Sequence, residues 1–475
     1  MKLRELVRVF VKGGIISPGD LLKITGLAQS LGASFIHFGS RQDILFSVKE
    51  PSRELLDKAF ESIHTPYEID TFRYQNIASS FVALDLLPSK KWLASHIYHY
   101  VLDSFNYLPQ LRINIVDPSQ SLVPLFTGQI NFLASNQENF WYLYLRFSEI
   151  QSKPWQFPLL VYSEDIAKLS LKLEEMEIVK NNFSYQQVYD EVMGNLSINT
   201  QPVTDNLVLP DTNFPYYEGM NRMPDDKYWL GLYWRNNKFD IHILKAICER
   251  CLTTGVGKLS LTPWKSFVIK GIFEKYKIGW EKLMGKFGMN LRHSALELNW
   301  HLPALDQDAL ELKNHLVRTL DQQDISTYGL TFTIKTTDDI TLFTSIVIEQ
   351  DLQNEDMFNI LYSKNFDPNS MEYNYYAKGV VKDVIAPLLI ELSHLYYESL
   401  EENVAIKPSS SINKEKEKHA NVYQCRNCMT LYNEEYGDET RGIVAGTPFD
   451  ELPDDYKCSL CGGGKALYEK HPLPA

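Results

Sequence analysis

The sequence predicts an α+β protein with a duplicated body and a small metal-binding domain at its C-terminus. Near the start of the chain, a helix, a glycine, a strand, a polar turn, a strand and a helix follow one another, and the same order returns about 222 residues later. This order suits α+β units with antiparallel sheets, and two copies so far apart indicate duplication of a domain-sized unit. The C-terminal domain is predicted by two C-x-x-C pairs within the last sixty residues.

The two copies match element by element. The first consists of a helix from Leu21 to Gly32, a strand over residues 34–38, the segment GSRQDILF over residues 39–46 and a helix from Ser52. The second consists of a helix from Ile243 to about Gly255, a strand over residues 258–261, the segment TPWKSFVI over residues 262–269 and a helix from Trp280. A polar turn between two strands stands at the same place in both.

Length and composition exclude several classes of function. A chain of 475 residues predicts two to four domains. Its net charge of −13 argues against binding to nucleic acid or to an anionic membrane. The N-terminal segment lacks the features of a signal peptide, and no apolar run approaches the roughly 18 to 20 residues that span a bilayer. Because four of the six cysteines fall in the two motifs, no disulfide framework remains, and we expect a cytoplasmic protein.

A linker separates the body from the C-terminal domain. Residues 401–420 are polar and charged, with a proline, a serine run and no hydrophobic periodicity. That composition is typical of a flexible linker. It would hold the C-terminal domain near the body at roughly millimolar effective concentration.

The two C-x-x-C motifs are the most specific chemical signal. CRNC and CSLC contribute Cys425, Cys428, Cys458 and Cys461. Each knuckle presents two thiolates from one tight turn, so two knuckles can converge on one tetrahedral metal ion. Four thiolates suit iron or zinc. Iron would give a one-electron carrier, whereas zinc would give a structural site without redox activity.

The residues around the knuckles resemble rubredoxin, the small electron carrier that holds one iron with four cysteines. The resemblance covers residues 421 to about 470 and rests on Tyr423, Tyr432, Gly437, Gly442, Gly446, Phe449, the turn Leu452-Pro453-Asp454-Asp455, Gly462 and Lys465. It implies a rubredoxin-like domain over residues 421–475 and one Fe(III)/Fe(II) ion on the four cysteines. It also implies an apolar shell around the site, formed by Tyr423, Tyr432, Phe449 and Tyr456.

Three residues depart from the rubredoxin pattern. Met429 stands where the family usually has a glycine, Ser459 replaces a proline, and Tyr456 replaces a tryptophan. A left-handed backbone at Met429 would cost on the order of 1 kcal/mol.

The body carries a second resemblance, to sulfite and nitrite reductases. It begins with VKGGIISPGDLLKITGLAQSLGASFIHFGSRQDILF over residues 11–46 and continues with RYQNIASS, LPQLRINI and GQINFLA over residues 73–80, 108–115 and 128–134. It implies ferredoxin-like half-domains at residues 1–65 and 221–300. It further implies degenerate sirohaem-domain-like regions at residues 66–220 and 301–400.

Departures from the reductase pattern predict that the body is not catalytic. The family holds a four-iron cluster with four cysteines, whereas the body contains only Cys248 and Cys251. Gln75 stands where an arginine is usual, and residues 111 and 113 are apolar where lysines are usual, so only Arg112 keeps a charge there. Binding of sulfite or nitrite requires clustered positive charge. We therefore expect no catalytic residue, no four-iron cluster and no sirohaem.

Five further residues have two interpretations each. Arg41 could contact a cofactor carboxylate, or it could hold its own turn by pairing with Asp43. Cys248 and Cys251 could form a redox dithiol, but two partly buried helix residues are the favoured interpretation. His37 and His301 are isolated among apolar residues, which favours core histidines over metal ligands.

Taken together, the sequence predicts an electron carrier and not an enzyme. The module would serve a redox partner protein, which could be a sirohaem reductase, and an acidic face would favour docking on a basic patch. The residues expected on that face are Glu434, Glu435, Asp438, Asp454 and Asp455. One alternative is a body that still binds sirohaem or another tetrapyrrole and receives electrons from the iron. The other is a structural protein with zinc in the four-cysteine site.

Overall fold

The computed structural model describes residues 5–48, 53–87, 89–90, 92–147, 153–178, 183–210, 213–289, 297–337, 341–406 and 422–471. The chain forms two compact units, Met1–Leu400 and Glu401–Ala475. The first unit, the body, is built mainly from strands and the helices that cover them.

The strands of the body are β1 (Glu5–Val9), β2 (Ile15–Ile16), β3 (Phe35–Phe38), β4 (Ile44–Val48), β5 (Tyr67–Ile69), β6 (Ala78–Ser79), β7 (Ile113–Val116), β8 (Ile130–Ala134), β9 (Phe140–Leu145), β10 (Trp155–Gln156), β11 (Leu159–Tyr162), β12 (Thr200–Pro202), β13 (Gly219–Met223), β14 (Lys227–Leu232), β15 (Phe239–Asp240), β16 (Leu259–Leu261), β17 (Phe267–Phe273), β18 (Trp300–His301), β19 (Phe332–Lys335), β20 (Ile346–Gln350), β21 (Met357–Ser363) and β22 (Tyr373–Val381). The helices are α1 (Pro18–Ser30), α2 (Arg53–Ile63), α3 (Ser95–Asp103), α4 (Ile166–Glu175), α5 (Tyr185–Asn195), α6 (Ile241–Thr254), α7 (Lys277–Lys286), α8 (Gln307–Gln322) and α9 (Lys382–Ile406).

Two antiparallel sheets of the body have equivalent architecture. One has the order β15-β3-β4-β1-β5 and the other has the order β2-β16-β17-β14-β13. Each sheet borrows its first strand from the other copy, because β15 pairs with β3 while β2 pairs with β16. This reciprocal exchange confirms the duplication that the sequence predicts.

The other two sheets of the body are mixed. One has the order β6-β7-β8-β9-β11-β12, with β10 paired to β9, and the other has the order β18-β19-β20-β21-β22. In each, three strands run parallel before the order turns antiparallel. A helix follows the first strand in both, α3 in one and α8 in the other, as a parallel crossover requires. The duplication therefore extends to the mixed sheets.

One apolar core joins the two copies. Helices α1 and α6 contribute Leu21, Ile24, Leu244 and Ile247 to a single buried cluster that also contains side chains of both antiparallel sheets. Burying side chains of this size contributes roughly 1.5 to 3 kcal/mol each. The two copies therefore stabilise one another.

A buried glutamine adds polar contacts between the copies. The Gln42 side-chain amide donates to the carbonyl oxygens of Ser79 and Leu261 at 3.0 and 2.9 Å. Its oxygen accepts the Ser79 N–H at 2.7 Å. Gln42 thus connects the first copy to the strand β16 of the second.

Element boundaries differ from the sequence predictions by a few residues. The first helix begins at Pro18, not at Leu21, because the Ser17 hydroxyl accepts the Asp20 N–H at 3.0 Å and caps the helix. Helix α6 ends at Thr254 and is capped by Gly255, whose φ of 74° is the left-handed value that favours glycine. Helix α9 extends to Ile406, inside the predicted linker, and residues 407–421 lie outside the described part of the chain. The predicted domain limits stay predictions.

The second unit contains a small antiparallel sheet. Its strands are β23 (Val422–Cys425), β24 (Leu431–Asn433) and β25 (Tyr468–His471), in the order β24-β23-β25. Three short 3-10 turns, Glu439–Arg441, Phe449–Glu451 and Lys465–Leu467, lie between β24 and β25. Within the described ranges, every helix of the chain is too short or too polar to cross a bilayer.

Candidate metal centre and body cavity

The first knuckle begins where strand β23 ends. Cys425 is the last residue of the strand, and its N–H donates to the Thr430 carbonyl oxygen at 2.9 Å. The Met429 N–H donates back to the Cys425 carbonyl oxygen at 2.8 Å. Met429 has a φ of 62°, which is the left-handed conformation that the usual glycine of the family would adopt at this position.

The second knuckle repeats this geometry. The Cys458 N–H donates to the Gly463 carbonyl oxygen at 2.8 Å, and the Gly462 N–H donates to the Cys458 carbonyl oxygen at 2.9 Å. Gly462 has a φ of 71°. Glycine adopts this left-handed conformation without strain, whereas Met429 adopts the same conformation at a cost in free energy.

The four sulfurs converge on one point. All four Sγ atoms lie within 4.8 Å of one another. The Cys425 and Cys461 sulfurs are 3.7 Å apart, and the Cys428 and Cys458 sulfurs are 3.5 Å apart. A tetrahedral ion with metal–sulfur bonds of about 2.3 Å needs sulfur separations of about 3.8 Å. The donor set therefore fits a single iron or zinc ion.

The charges of the four thiolates favour a cation at this site. Burial raises the pKa of Cys458, but hydrogen bonds from the Tyr468 hydroxyl and from the Cys461 and Leu460 amides outweigh it and lower the pKa to about 6. Cys461 receives a hydrogen bond from the Gly463 amide, yet the adjoining Cys428 sulfur raises its pKa to about 12. Four thiolates this close cannot all ionise without a positive ion, because their charges repel.

An aromatic shell encloses the cysteines on the inner side. Tyr423, Tyr432, Phe449 and Tyr456 all belong to the cluster that contains Cys425 and Cys458, as the sequence predicts. Tyr423 and Phe449 stack with their ring centres 4.0 Å apart. The sequence interpretation missed Tyr468, because its place beside the cysteines depends on the pairing of β25 with β23. Cys461 is exposed, so the shell is open on one side.

Two of the three departures from the rubredoxin pattern contact the same carboxylate. The Tyr456 hydroxyl donates to Asp438 at 2.9 Å, and Ser459 also hydrogen-bonds to it. Burial raises the pKa of Asp438, but these bonds and one from Thr440 outweigh it, and the pKa lies below its ordinary value. Tyrosine in place of tryptophan and serine in place of proline thus form one polar network beside Cys458.

The expected acidic face is smaller than the sequence suggests. Glu434 accepts the Phe449 N–H at 2.9 Å, and Asp438 belongs to the network just described. Glu435, Asp454 and Asp455 are exposed. Three of the five carboxylates therefore remain fully at the surface.

In the body, Arg41 lies in the wall of a cavity of about 660 Å³. Its guanidinium donates to the Asn114 side chain at 2.6 Å and to the Asn76 and Ile113 carbonyl oxygens at 2.9 and 2.7 Å. Asp43 lies instead beside Arg8, at 3.9 Å. The suggested Arg41–Asp43 pair is thus replaced by neutral acceptors, and contact of Arg41 with a cofactor stays a prediction.

Three more cations line the same cavity. They are Arg8, Arg112 and Lys265. Burial and the nearby Arg112 lower the pKa of Arg41 to about 9. Burial and the charge of Lys313 lower the pKa of Lys265 to about 7. The cavity is therefore cation-rich, although the family's own basic positions are largely lost.

Two of these cations were missed from the sequence. Arg8 lies in β1 and forms ion pairs with Glu68 at 2.6 Å and Asp43 at 3.9 Å. Lys265 lies in the turn between β16 and β17, and its ammonium donates to the Leu302 carbonyl oxygen. No motif marks Arg8, and the repeated turn segment that contains Lys265 does not show that its side chain lines a cavity, because both positions depend on the packing of four sheets.

The remaining candidates divide clearly. Cys248 and Cys251 are fully buried in α6, and burial raises the pKa of both, that of Cys248 to about 12. Such thiols are inert.

The two histidines differ from each other. Burial lowers the pKa of His37 to about 4. His301 is buried as well, but its Nδ1 has no hydrogen-bond partner in the described part of the chain, which disagrees with a satisfied core histidine.

Comparisons with known families agree with both resemblances. Residues 422–468 match the rubredoxin family. Residues 4–62 match the family described as the nitrite/sulfite reductase ferredoxin-like half domain.

Individual relatives match the C-terminal residues. A rubredoxin-2 of Chlorobaculum tepidum is 44% identical over 48 residues, which are 10% of this chain and 92% of the relative. A high molecular weight rubredoxin of Moorella thermoacetica is 36% identical over 98 residues, which are 19% of this chain and 43% of the relative. The chain thus spans less than half of the Moorella protein.

A solved structure resembles the larger part of the chain. The NirA protein of Mycobacterium tuberculosis has a TM-score of 0.60 and 12% sequence identity, and the match covers 86% of this chain and 82% of that one. At this identity the likeness shows the fold alone.

Proposed function

The chain belongs to the rubredoxin family through its C-terminal unit, and from that premise we propose that it is a cytoplasmic electron-transfer protein. One iron ion held by Cys425, Cys428, Cys458 and Cys461 would supply a one-electron couple. The reductase-like body would serve as the platform for a redox partner protein, for which a sirohaem reductase is a candidate.

The convergence of four sulfurs within 4.8 Å carries this proposal. Partner access is supported by the surface around Cys461, the exposed ligand. Met429 and Leu460, one in each knuckle, have exposed fractions of 64% and 73%. Apolar side chains beside an exposed ligand favour close, water-excluding contact with a partner, and the three exposed carboxylates would steer its approach.

Metal content and a visible spectrum test the proposal. We expect the purified full-length protein to contain one iron per chain and to show thiolate-to-iron absorption that bleaches on reduction and returns in air. Stoichiometric zinc without visible absorption, in protein expressed with ample iron, would instead establish the structural alternative.

A pair of serine variants tests the ligand assignment. Cys458→Ser should abolish the visible absorption, because it removes a buried ligand. Cys251→Ser is the matched control, since Cys251 is equally buried but lies in α6 of the body. Equal loss of absorption in both variants would show that general misfolding causes the effect.

The cavity favours a second candidate function for the body. Its apolar walls include Phe72 and Phe343, and four cations line it against one carboxylate, Asp43. A volume of about 660 Å³ lies within the range of cofactor pockets. Asp43 and Glu68 both pair with Arg8, so the positive charge that remains comes from Arg41, Arg112 and Lys265, and it favours an anionic ligand. These residues fit a tetrapyrrole polycarboxylate such as sirohaem, which would make the chain an oxidoreductase that receives electrons through its own rubredoxin unit.

Binding of metal-free uroporphyrin, a tetrapyrrole with carboxylates on every ring, tests this second candidate. We expect saturable binding to the full-length chain and at least fivefold weaker binding to Lys265→Met. Lys270→Met is the matched control, since Lys270 is also a buried cation of the second copy but donates to the Phe81 and Leu84 carbonyl oxygens outside the cavity. Equal affinities in all three proteins would exclude a cation-dependent site.

A further inference from the structure

Lys265 lies in the partition between two cavities of the body. It belongs to the turn between β16 and β17, and together with Leu302 and Pro303 it lines both the cation-rich cavity of about 660 Å³ and a second cavity of about 670 Å³. Polar side chains line much of the second cavity, among them Asn236 and Asn237. A lysine with a cavity on each side is in a position to meet a bound molecule.

The nitrogen of Lys265 has a neutral partner. Its Nζ donates to the Leu302 carbonyl oxygen, whereas another buried lysine, Lys313, pairs with Glu297 at 2.9 Å. A lysine that bonds to a carbonyl oxygen instead of a carboxylate lacks the interaction that would hold its proton. Burial and the charge of Lys313 outweigh the carboxylate of Asp306, and they lower the pKa of Lys265 to about 7.

Two histidines near Lys265 are neutral at pH 7. Burial lowers the pKa of His37 to about 4 and holds that of His301 well below its ordinary value. Since the pKa of Lys265 is itself about 7, about half of these side chains are neutral amines at that pH. The neutral amine is the form of lysine that attacks a carbonyl carbon, and lysines desolvated in this way form imines.

The cation-rich cavity defines a second group of the ligand. Arg41 and Arg112 line the same space as Lys265, and its apolar walls include Phe72 and Phe343. Guanidinium groups favour a carboxylate or a phosphate on the molecule whose carbonyl group meets the amine. The chemistry of the cavity therefore suits a carbonyl compound that also carries an acid group.

We propose that Lys265 captures such a compound, an aldehyde or a 2-oxo acid, as a covalent imine in the wall of this cavity. The amine nitrogen adds to the carbonyl carbon, and the carbonyl oxygen leaves as water with the two hydrogens of the nitrogen. A C=N bond thus replaces a C=O bond without a change in oxidation state, and hydrolysis reverses the step. The proposal depends neither on the iron centre nor on a tetrapyrrole.

Pyridoxal 5′-phosphate, an aldehyde with a phosphate group, tests the proposal on the full-length protein. Borohydride converts an imine into a stable secondary amine, and peptide mass spectrometry then locates the label. We expect Lys265 to be labelled about tenfold faster than the exposed lysines at pH 7, or faster still, since very little of an ordinary lysine is neutral at that pH. The labelling rate should rise with pH and reach half of its maximum near pH 7.

Lys270 is the matched control within the same chain. Burial lowers its pKa to about 8, but it donates to the Phe81 and Leu84 carbonyl oxygens and lines neither cavity. It should be labelled about fivefold more slowly than Lys265, or more slowly still. Pyridoxal, which lacks the phosphate, should also label Lys265 about fivefold more slowly, because it loses the contact with the guanidinium groups.

The label is located in wild-type protein, so the result does not depend on the folding of a variant. Equal labelling of Lys265 and Lys270 would show that lowered basicity alone causes the reaction, and it would overturn the assignment to the cavity. Label spread over the exposed lysines, or no label on Lys265, would overturn imine formation. Lys265→Arg keeps a cation but forms no imine, and undiminished labelling of that variant would contradict the proposal as well.

Discussion

Replacing Met429 by glycine should strengthen metal binding. Met429 holds a φ of 62° at the position where the second knuckle has Gly462 at 71°. A left-handed conformation costs a residue with a side chain about 1 to 2 kcal/mol. Glycine removes that strain, but it increases the entropy of the unfolded chain by about 0.4 to 1 kcal/mol. The Met429 side chain is 64% exposed, so little buried surface is lost.

The net gain is therefore roughly 0.5 to 1 kcal/mol, or a two- to fivefold increase in metal affinity. Chelator competition on zinc-loaded full-length protein measures this directly, because metal binding and folding of a small metal site are coupled. The Met429 N–H bond to Cys425 uses the backbone and should survive the change.

Gly462→Ala is the mirror-image control. A Cβ at Gly462 meets nothing within 4 Å, so the only cost of the alanine is its left-handed backbone, about 1 kcal/mol. We expect metal affinity to fall about fivefold. If Met429→Gly binds zinc no more tightly than wild type while Gly462→Ala binds it more weakly, strain at Met429 is not what distinguishes the two knuckles.

Three further predictions follow from buried polar groups. Tyr468→Phe removes a hydrogen bond to the Cys458 sulfur, which should lower the reduction potential of an iron site by about 40 mV, equivalent to about 1 kcal/mol; voltammetry showing no shift would contradict this. Between pH 7 and 10.5, Lys265 is neutral when folded but charged when unfolded, so wild-type stability should rise by up to about 1.4 kcal/mol per pH unit relative to Lys265→Met; a pH-independent difference in Tm would refute the burial argument. Gln42→Leu leaves both backbone groups of Ser79 without their side-chain partner and should cost about 2 to 4 kcal/mol; a Tm within about 2 °C of wild type would contradict this.

The convergence of the four cysteines could be predicted because its information is local. Each knuckle is one turn, so the spacing of two cysteines fixes the direction of both sulfurs. The aromatic shell was also predictable, since Tyr423, Tyr432 and Phe449 lie within nine positions of a cysteine ligand. Tyr468 was not, because its contact depends on the pairing of β25 with β23, which places residue 468 opposite Cys425. The rubredoxin resemblance marked Met429 as a departure at a glycine position, and the structure gives it the left-handed φ of 62°.

The body cavity could not be predicted, because its charge comes from residues that are distant in the chain. The turns that follow β3 and β16 are equivalent: the Gly39 N–H donates to the Asp43 carbonyl oxygen at 2.9 Å, and the Thr262 N–H donates to the Ser266 carbonyl oxygen at 2.9 Å. The fourth residues of these turns, Gln42 and Lys265, have φ angles of 60° and 58°.

Duplication thus gave one backbone position two different functions. Gln42 binds the other copy through its amide, whereas Lys265 places a basic side chain in the wall of the cavity. The sequence motifs of the first copy show that the basic residues usual in the family are lost at positions 75, 111 and 113. They cannot show the charge that the second copy and β1 supply, because only the packed sheets bring Arg8 and Lys265 to the same cavity as Arg41. Loss of motif residues in one half of a duplicated fold is therefore weak evidence that its ligand site is lost.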